Sequence, residues 1–284
     1  MSEQINIQWF PGHMTKARRM ISANISLVDA ICEIVDARIP VSSRNPDLDE
    51  MTGGIPRLIV LNRSDQADPD STQLWSSRLR GRSTKTLITD CRSGKGVSKL
   101  SSVLRELLAE KLESYALKGQ SGRQIRAMVV GIPNVGKSSF INRAAGRKAA
   151  AVSDKPGVTR GRQWIKVDAG LELLDTPGVL WPKFESQTVA ENLAFTGAIR
   201  DEVTDIETLG ANLMLRMKEL YPEQIRQRYR LSFDDDTGGF DMLEQAAKNR
   251  GFLISGGEYD INRMAVILLD EFRGGVLGRI TLER

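Results

Sequence analysis

The sequence predicts an α/β domain with a mostly parallel six-stranded sheet flanked by helices, followed by a small all-α domain. Short apolar runs alternate with helical segments in the first part of the chain, which is the pattern of parallel βαβ units. A glycine-rich turn of the phosphate-loop type joins one such run to a helix at residues 131–138. Strand patterns end before residue 188, and helical periodicity follows. We therefore divide the chain into residues 1–180 and 181–284.

Composition limits the class of protein. The 284 residues leave room for two modest domains, and a net charge of +4 is too small to establish a polyanionic partner by itself. No apolar segment is long enough to span a bilayer and the first ten residues lack the features of a signal peptide, so we expect a cytoplasmic protein without a membrane partner. Cys32 and Cys91 have no metal-like spacing, which argues against a zinc site or a disulfide framework.

The first part of the chain opens with an aromatic pair and a Pro-Gly turn at residues 9–14, which contain His13, the single histidine of the sequence. Apolar spacing then predicts a helix at 15–25 and a strand at 28–36 that stops before Pro40. The following predicted elements are a short helix within 41–54, a strand at 57–61, a helix at 69–79, a strand at 86–89 and a long helix at 98–117.

The second part begins with a strand at 125–130, which leads into the glycine-rich turn and a helix that continues to residue 145. A polar loop is predicted at 149–162, and a hairpin that turns at 168–170 joins strands at 163–167 and 171–174. The remaining elements are five helices, predicted at 189–198, 206–220, 222–229, 240–249 and 262–272.

The turn at 131–138 fits the pattern G-x-x-x-x-G-K-S. Its glycines allow a tight turn in which successive N–H groups and the helix N-terminus face an anion. Lys137 then reaches the β- and γ-phosphates, and the hydroxyl of Ser138 binds Mg²⁺. An ordinary strand-to-helix turn is the alternative interpretation, and the strand and helix that flank the motif argue against it.

Asn62 and Asp65 form an N-x-x-D pattern directly after a buried strand. In α/β sheets this end of a strand is where ligands bind. A carboxylate there can accept hydrogen bonds from N1–H and from the exocyclic amine of guanine, and adenine offers no such pair. The pattern alone is common in loops, but its position in a chain with a phosphate loop indicates guanine recognition.

Residues 175–178, with the sequence D-T-P-G, also follow a predicted strand. Asp175 can hold a water molecule on Mg²⁺, and the N–H of Gly178 can meet a γ-phosphate. Thr159, in the loop between these residues and the phosphate loop, is a candidate to close over the metal. Such segments respond to the presence of the γ-phosphate.

The order of these motifs resembles that of the circularly permuted GTPases of the YlqF/RbgA type, because the guanine motif precedes the phosphate loop. The resemblance covers nearly the whole chain and includes W-F-P-G-H-M, N-V-G-K-S, P-G-V-T and D-T-P-G-V-L-W-P-K-F. It implies a circularly permuted P-loop GTPase domain followed by a helical domain that contacts RNA or the ribosome. It also implies a late role in maturation of the large (50S) ribosomal subunit, as a monomeric, nucleotide-gated switch that binds GTP or GDP and precursor particles of rRNA and ribosomal proteins.

Position by position, the resemblance assigns nucleotide contacts to Asn62, Arg63, Ser64, Asp65, Asp90, Cys91, Asn134, Val135, Gly136, Lys137, Ser138, Ser139, Thr159 and Gly178. It assigns Mg²⁺ to Ser138, Thr159 and, through water, Asp175. Arg63 replaces the usual lysine beside the base, and an arginine can also stack there. The sequence D-C-R at 90–92 stands where many GTPases have S-A-K, so a backbone N–H is expected to contact guanine O6.

Val179 occupies the position where GTPases such as Ras place the glutamine that orients the attacking water. Slow turnover alone, with stimulation by the ribosomal particle, is therefore expected. Asn134 is a candidate to hold K⁺ near the transferred phosphate, and the alternative is an asparagine that bonds its own backbone. His13 is the candidate catalytic side chain, and a structural histidine is its alternative.

The helical region contains Arg226, Arg228 and Arg230 close to Tyr221 and Tyr229, a combination that can contact RNA. A solvated helix face is the alternative, and the acidic run at 234–236 interrupts the basic surface. Two other functions remain open at this stage: a K⁺-dependent GTPase that acts on tRNA or another RNA, and a metabolic kinase or ATPase.

Overall fold

The computed structural model describes residues 12–120, 122–146, 163–181, 184 and 186–284, with side chains from Arg18 onward. The predicted loop at 149–162, Thr159 within it, residues 9–11 and the side chain of His13 lie outside this description. The strands are β1 (Ala30–Asp36), β2 (Arg57–Asn62), β3 (Thr84–Ile88), β4 (Ile125–Val130), β5 (Gln163–Asp168) and β6 (Leu171–Asp175).

The helices of the first compact unit are α1 (Gly12–Asn24), α2 (Asp47–Thr52), α3 (Pro69–Arg78), α4 (Leu100–Leu107), α5 (Ala109–Leu117) and α6 (Lys137–Ala145). The second compact unit contains α7 (Gln187–Phe195), α8 (Ile206–Leu220), α9 (Pro222–Tyr229), α10 (Gly239–Arg250) and α11 (Ile261–Gly274). None of the described helices is both long and apolar enough to cross a membrane.

The six strands form one sheet in the order β3-β2-β1-β4-β6-β5. All neighbouring pairs are parallel except β5 and β6, which form the predicted antiparallel hairpin. Every residue of β1 and β2 is buried, as expected for central strands covered by helices on both faces. The prediction of a mostly parallel six-stranded sheet with flanking helices is confirmed. The carboxyl ends of the five parallel strands meet at one edge of the sheet.

Two apolar clusters stabilise this unit. One contains Ile21 of α1 with Met128 and Leu174 from neighbouring strands. The other contains Val35 and Leu61, against which the half-buried Trp75 of α3 packs. Because burying a large apolar side chain stabilises a protein by about 1.5–3 kcal/mol, these clusters fix the strand ends that carry the predicted site.

The prediction of one continuous helix at 98–117 was wrong, because the structure has two helices in this range. A short 3₁₀ turn, Val97–Lys99, precedes α4, and Leu108 separates α4 from α5 with φ −102° and ψ 14°. Leu100 and Leu104 of α4 are buried, whereas α5 has no buried residue. The helical spacing of the sequence continues past Leu108 and therefore does not reveal the interruption between the two helices.

The second unit, which covers Phe184–Leu282 and Arg284, is built around α8, which packs against α10 and α11. Its core is apolar, with Leu213, Leu243 and Leu268 fully buried. Asp205 and Asp260 begin α8 and α11 by accepting hydrogen bonds from the first free N–H groups of each helix. The helical character predicted for this region is confirmed.

Candidate nucleotide-binding site

The predicted site residues follow the carboxyl ends of β2, β3, β4 and β6. These strands lie in one parallel arrangement, so the loops that leave them share one edge of the sheet. This is the edge at which open α/β sheets bind their ligands. The strand order therefore brings together motifs that are more than 100 positions apart in the sequence, such as Asn62 and Asp175.

The phosphate loop runs from the end of β4 into α6. Asn134 and Gly136 have positive φ angles of 60° and 94°, so that the chain curls back before the helix begins at Lys137. A Cβ atom at Gly136 would lie 2.5 Å from Nδ2 of Asn62, which leaves room only for glycine. The loop thus has the curled backbone that presents successive N–H groups to an anion.

Lys137 lies buried beneath this loop. Its Nζ donates hydrogen bonds to the carbonyl oxygens of Gly131, at 3.1 Å, and Ile132, at 2.7 Å. Burial lowers the pKa of Lys137 to about 8, and the nearby carboxylate of Asp175 opposes that shift. A phosphate placed in the loop would give the ammonium group a second negative partner and favour its charged form.

Residues 62–65, the predicted guanine-binding segment, form what we call the guanine turn. This turn is hydrogen-bonded directly to the phosphate loop. Nδ2 of Asn62 donates to the carbonyl oxygen of Val135 at 2.9 Å, and Nη2 of Arg63 donates to that of Asn134 at 2.7 Å. Asn62 is buried and thus held in place, whereas Asp65 of the same turn is exposed to solvent. The two motifs are thus joined by hydrogen bonds, with the carboxylate predicted to bind the base exposed beside them.

The turn after β3 lies beside the guanine turn. Ser64 N–H donates to the carbonyl of Thr89 at 3.1 Å, and the hydroxyl of Thr89 donates to Oδ1 of Asn62 at 3.3 Å. Asp90 accepts from the N–H groups of Arg92 and Ser93, at 2.7 and 3.2 Å. Its carboxylate therefore shapes the turn, which is consistent with a backbone N–H as the group that meets the base.

Burial, hydrogen bonds and neighbouring charges shift the pKa values of Asp90 and Cys91 in this turn. Burial raises the pKa of Asp90, but hydrogen bonds from Ser93 and Arg92 outweigh it and leave that pKa below its usual value. Burial raises the pKa of Cys91 to about 12, and the charges of Asp90 and Asp65 add to the rise. Cys91 is thus a thiol at neutral pH, and the hydrogen bond from Ser64 to Thr89 holds the two predicted base-binding segments side by side.

A buried ion pair behind the guanine turn was missed by the sequence reasoning. Arg38 is fully buried and binds Asp36 through Nε, at 2.9 Å, and Nη2, at 2.7 Å. Asp36 lies opposite Asn62 in the register of β1 and β2, and its Oδ2 is 3.7 Å from Nε of Arg63. Burial raises the pKa of Asp36, but the charges of Arg38 and Arg63 and hydrogen bonds from Arg38 lower it overall. The D-A-R sequence at the end of a buried strand was the available signal.

The segment after β6 lies against the phosphate loop. A Cβ atom at Gly178 would lie 2.8 Å from Cα of Pro133 and 3.0 Å from Nζ of Lys137. Val179 is buried; its N–H donates to the carbonyl of Gly131 at 3.2 Å, and its carbonyl accepts from Nδ2 of Asn45 at 3.1 Å. An apolar, buried side chain cannot orient a water molecule. Val179 therefore cannot replace the glutamine that orients the attacking water in GTPases such as Ras.

The residues predicted to hold Mg²⁺ offer suitable donors. Ser138 is the second residue of α6 and its side chain is half-buried, and Asp175 ends β6 close to Lys137. A hydroxyl and a carboxylate are the hard oxygen ligands that Mg²⁺ prefers, and phosphate oxygens and water complete such sites. No group of three or more His, Cys, Asp or Glu side chains that could hold a metal ion occurs within the described ranges. Thr159 lies outside the described residues.

The tyrosines and the arginines of the predicted RNA-contacting segment differ in exposure. Tyr221 and Tyr229 are buried, at 5% and 1% exposure, so neither ring is available to stack on a base. Arg228 binds Glu271 through Nε and Nη2 at 2.9 and 2.6 Å. Arg226 pairs with Glu223 at 2.8 Å. The tyrosines therefore serve the packing of the helices, and the RNA contact predicted for the arginines stays a prediction.

Comparisons with known proteins agree with this geometry. Residues 126–224 match the family model described as 50S ribosome-binding GTPase. Ribosome biogenesis GTPase A of Bacillus cereus is 43% identical over 278 residues, covering 98% of this chain and 93% of that protein. The protein of the same name from Priestia megaterium is 45% identical over 281 residues and covers 98% and 97%.

Solved structures match the fold over nearly the same length. The crystal structure of GNP-bound YlqF from T. maritima has a TM-score of 0.64 at 27% identity, covering 95% of this chain and 98% of that chain. A GDP-bound structure of TM YlqF has a TM-score of 0.66 at 25% identity and covers 94% and 99%. The similarity therefore includes both the strand-end loops and the helices after them.

Proposed function

The chain belongs to the ribosome biogenesis GTPase A family, and from that premise we propose that it acts at a late step of large ribosomal subunit maturation. It is a GTPase, with a circularly permuted G domain. In the proposed role, GTP binding and hydrolysis switch the association of the protein with precursor particles of rRNA and ribosomal proteins. We place that role in the cytoplasm and assign it to a monomer.

One observation in particular supports a guanine nucleotide as the ligand. The guanine turn contacts the phosphate loop through Asn62 and Arg63, and Asp65 lies exposed beside them. We propose that these segments bind GTP or GDP, with Ser64, Asp90 and Cys91 at the base and residues 134–139 at the phosphates. Gly178 and Thr159 complete the site around the γ-phosphate.

The test exchanges the hydrogen-bonding character of residue 65. Asp65→Asn presents donors to the guanine N1–H and amine, so GDP affinity should fall about 100-fold or more, because buried donors are left unpaired. Affinity for xanthosine diphosphate should rise, since xanthine carries a carbonyl in place of the amine. Asp70→Asn, a change at an exposed position five residues later, is the matched control. A kinase or ATPase would show no change in base preference in either variant.

Hydrolysis requires groups beyond those that bind the nucleotide. We assign Mg²⁺ to Ser138, Thr159 and, through water, Asp175, where it would neutralise charge on the phosphates. Asn134 is a candidate ligand for K⁺ beside the transferred phosphate, where a cation would stabilise developing charge. Since Val179 is buried and apolar, we propose His13 as the group that assists the attacking water, with full activity only on the particle.

The partner is tested by sedimentation. The protein should co-sediment with large-subunit precursors on a sucrose gradient, and replacing a non-hydrolysable GTP analogue by GDP should change the bound fraction. We propose that residues 181–284 provide part of the contact with RNA or the ribosome. A GTPase that acts on tRNA would instead remain with the small RNA at the top of the gradient, whichever nucleotide is present.

A further inference from the structure

A stretch of the GTPase unit carries positive charge without any acidic residue. Between Asp70 and Asp90 the sequence contains Arg78, Arg80, Arg82 and Lys85, and no aspartate or glutamate. These four charges give the segment a local charge of +4. The segment can therefore attract a polyanion.

The three arginines lie on one compact turn, which we call the arginine turn. Arg78 ends α3, and Arg80 and Arg82 flank Gly81, whose N–H and carbonyl both bond to Thr84 at 3.0 and 3.2 Å. All three arginines are exposed. The turn precedes β3, the edge strand of the sheet, and thus presents three guanidinium groups within a few residues of one another.

None of these arginines forms an ion pair with a carboxylate of the described residues, whereas Lys85 pairs with Glu106. The guanidinium of Arg78 lies 5.3 Å from the centre of the Trp75 ring. Nε of Arg80 donates to the hydroxyl of Thr86 at 2.9 Å. The side chains of Arg78 and Arg80 are thus oriented by uncharged partners, which do not neutralise the positive charge of the guanidinium groups.

Three arginines of the helical unit differ in this respect. Arg228 and Arg250 both bind Glu271, and Arg273 binds Asp201 at 2.7 Å. A phosphate would have to displace those carboxylates, and it would have to displace none at the arginine turn. Planar guanidinium groups bind phosphate oxygens in pairs, and unpaired ones lose no ion pair when they do so.

We propose that the arginine turn binds the phosphate backbone of the RNA in the particle on which this GTPase acts, an inference that rests on the proposed function. The turn lies before the amino end of β3, and the nucleotide turn at Asp90 and Cys91 lies after its carboxyl end. RNA bound there would not compete with GTP. The exposed arginines also provide planar groups on which an unpaired base can stack.

The test uses the full chain with Arg78, Arg80 and Arg82 all replaced by Gln. The probe is purified large-subunit ribosomal RNA in a filter-binding assay across a salt series. Affinity at about 0.1 M salt should fall at least 10-fold, and the slope of log affinity against log salt should decrease by about 2 to 3 as three phosphate contacts are lost. GDP affinity should stay within about twofold, which also shows that the variant is folded.

The matched control replaces three exposed lysines scattered over the same unit, Lys99, Lys118 and Lys166, by Gln. Equal losses in both variants would show that net charge alone matters and would overturn the proposal, as would unchanged RNA binding in the arginine variant. A loss of particle binding with intact RNA binding would assign the turn to a ribosomal protein and also overturn it. If the wild-type protein hydrolyses GTP but binds neither the RNA nor the particle, the proposed function itself fails.

Discussion

Lys137 is buried, and its predicted role requires a charged side chain. Burial lowers its pKa to about 8 before nucleotide binds, and a β-phosphate beside its Nζ would raise that pKa again. Binding therefore takes up a proton at any pH above about 8 and none well below it. GDP affinity should be constant between pH 6.5 and 7.5 and should weaken about fourfold by pH 8.5, as measured with a fluorescent GDP analogue.

GMP provides the control for this pH dependence, because it lacks the β-phosphate that Lys137 reaches but titrates at the same base. Its affinity, measured by competition, should change much less over the same range. A parallel decline for GMP and GDP would show that the base or the guanine turn titrates, and it would contradict the assignment to Lys137.

His13 is the second residue with a specific expectation. Because Val179 cannot orient water, removal of the assisting side chain should lower particle-stimulated turnover, by about 100-fold for a general acid or base. His13→Ala should nevertheless leave GTP affinity nearly intact, and His13→Gln, which can still bond a water molecule, should keep part of the rate. Phosphate release on purified precursor particles measures both. Unchanged turnover in His13→Ala would remove this residue from the mechanism.

At the scale of elements, Glu271 of α11 joins three helices of the second unit. It accepts hydrogen bonds from Arg228 and the hydroxyl of Tyr229 on α9 and from Arg250 on α10. Burial raises the pKa of Glu271, but the hydrogen bonds from these groups outweigh it and lower the pKa to about 2, from an ordinary 4.5. The charged carboxylate thus stabilises the unit above about pH 4.5, and this contribution is lost as pH falls towards 2.

Glu271→Gln should therefore lower the free energy of unfolding by about 2 kcal/mol at pH 7, with a difference from wild type that shrinks towards pH 2. Urea unfolding followed by far-UV circular dichroism measures it. Glu223→Gln is the matched control, since its carboxylate is 67% exposed and pairs only with Arg226; it should change stability by less than about 1 kcal/mol. Equal effects in both variants would show that the Glu271 cluster adds nothing beyond a surface ion pair.

The elements also show what the sequence could predict. The sheet, its hairpin and the five later helices followed from apolar periodicity, because that pattern is set by which face of each element is buried. The break at Leu108 did not, since it leaves the spacing unchanged. The nucleotide contacts assigned to Asn62 and Lys137 came from known motifs, whereas the hydrogen bond of Asn62 to the phosphate loop was not predicted. The pairing of Asp36, Arg38 and Arg63 depended on the register of two strands, which one sequence does not specify.

At the scale of the molecule, the chain has two compact units, each with its own apolar core. All predicted contacts to the nucleotide lie in the first unit, and a ligand stabilises only the structure that binds it. GDP at about 100 times its dissociation constant should therefore stabilise the first unit by about 2.7 kcal/mol and leave the unfolding of the second unchanged. In urea this corresponds to a shift of about 1 M in the first midpoint alone.

The distribution of tryptophans makes this measurable in one titration. Trp75, Trp164 and Trp181 belong to the first unit, so in a Trp9→Phe background the fluorescence transition reports that unit, while circular dichroism reports the helices of both. Lys137→Ala should show no GDP-dependent shift in fluorescence, because the lysine that meets the phosphates is absent. If GDP moves both transitions together in the protein with Lys137 intact, the two units unfold as one, and the nucleotide stabilises the whole chain through a single cooperative structure.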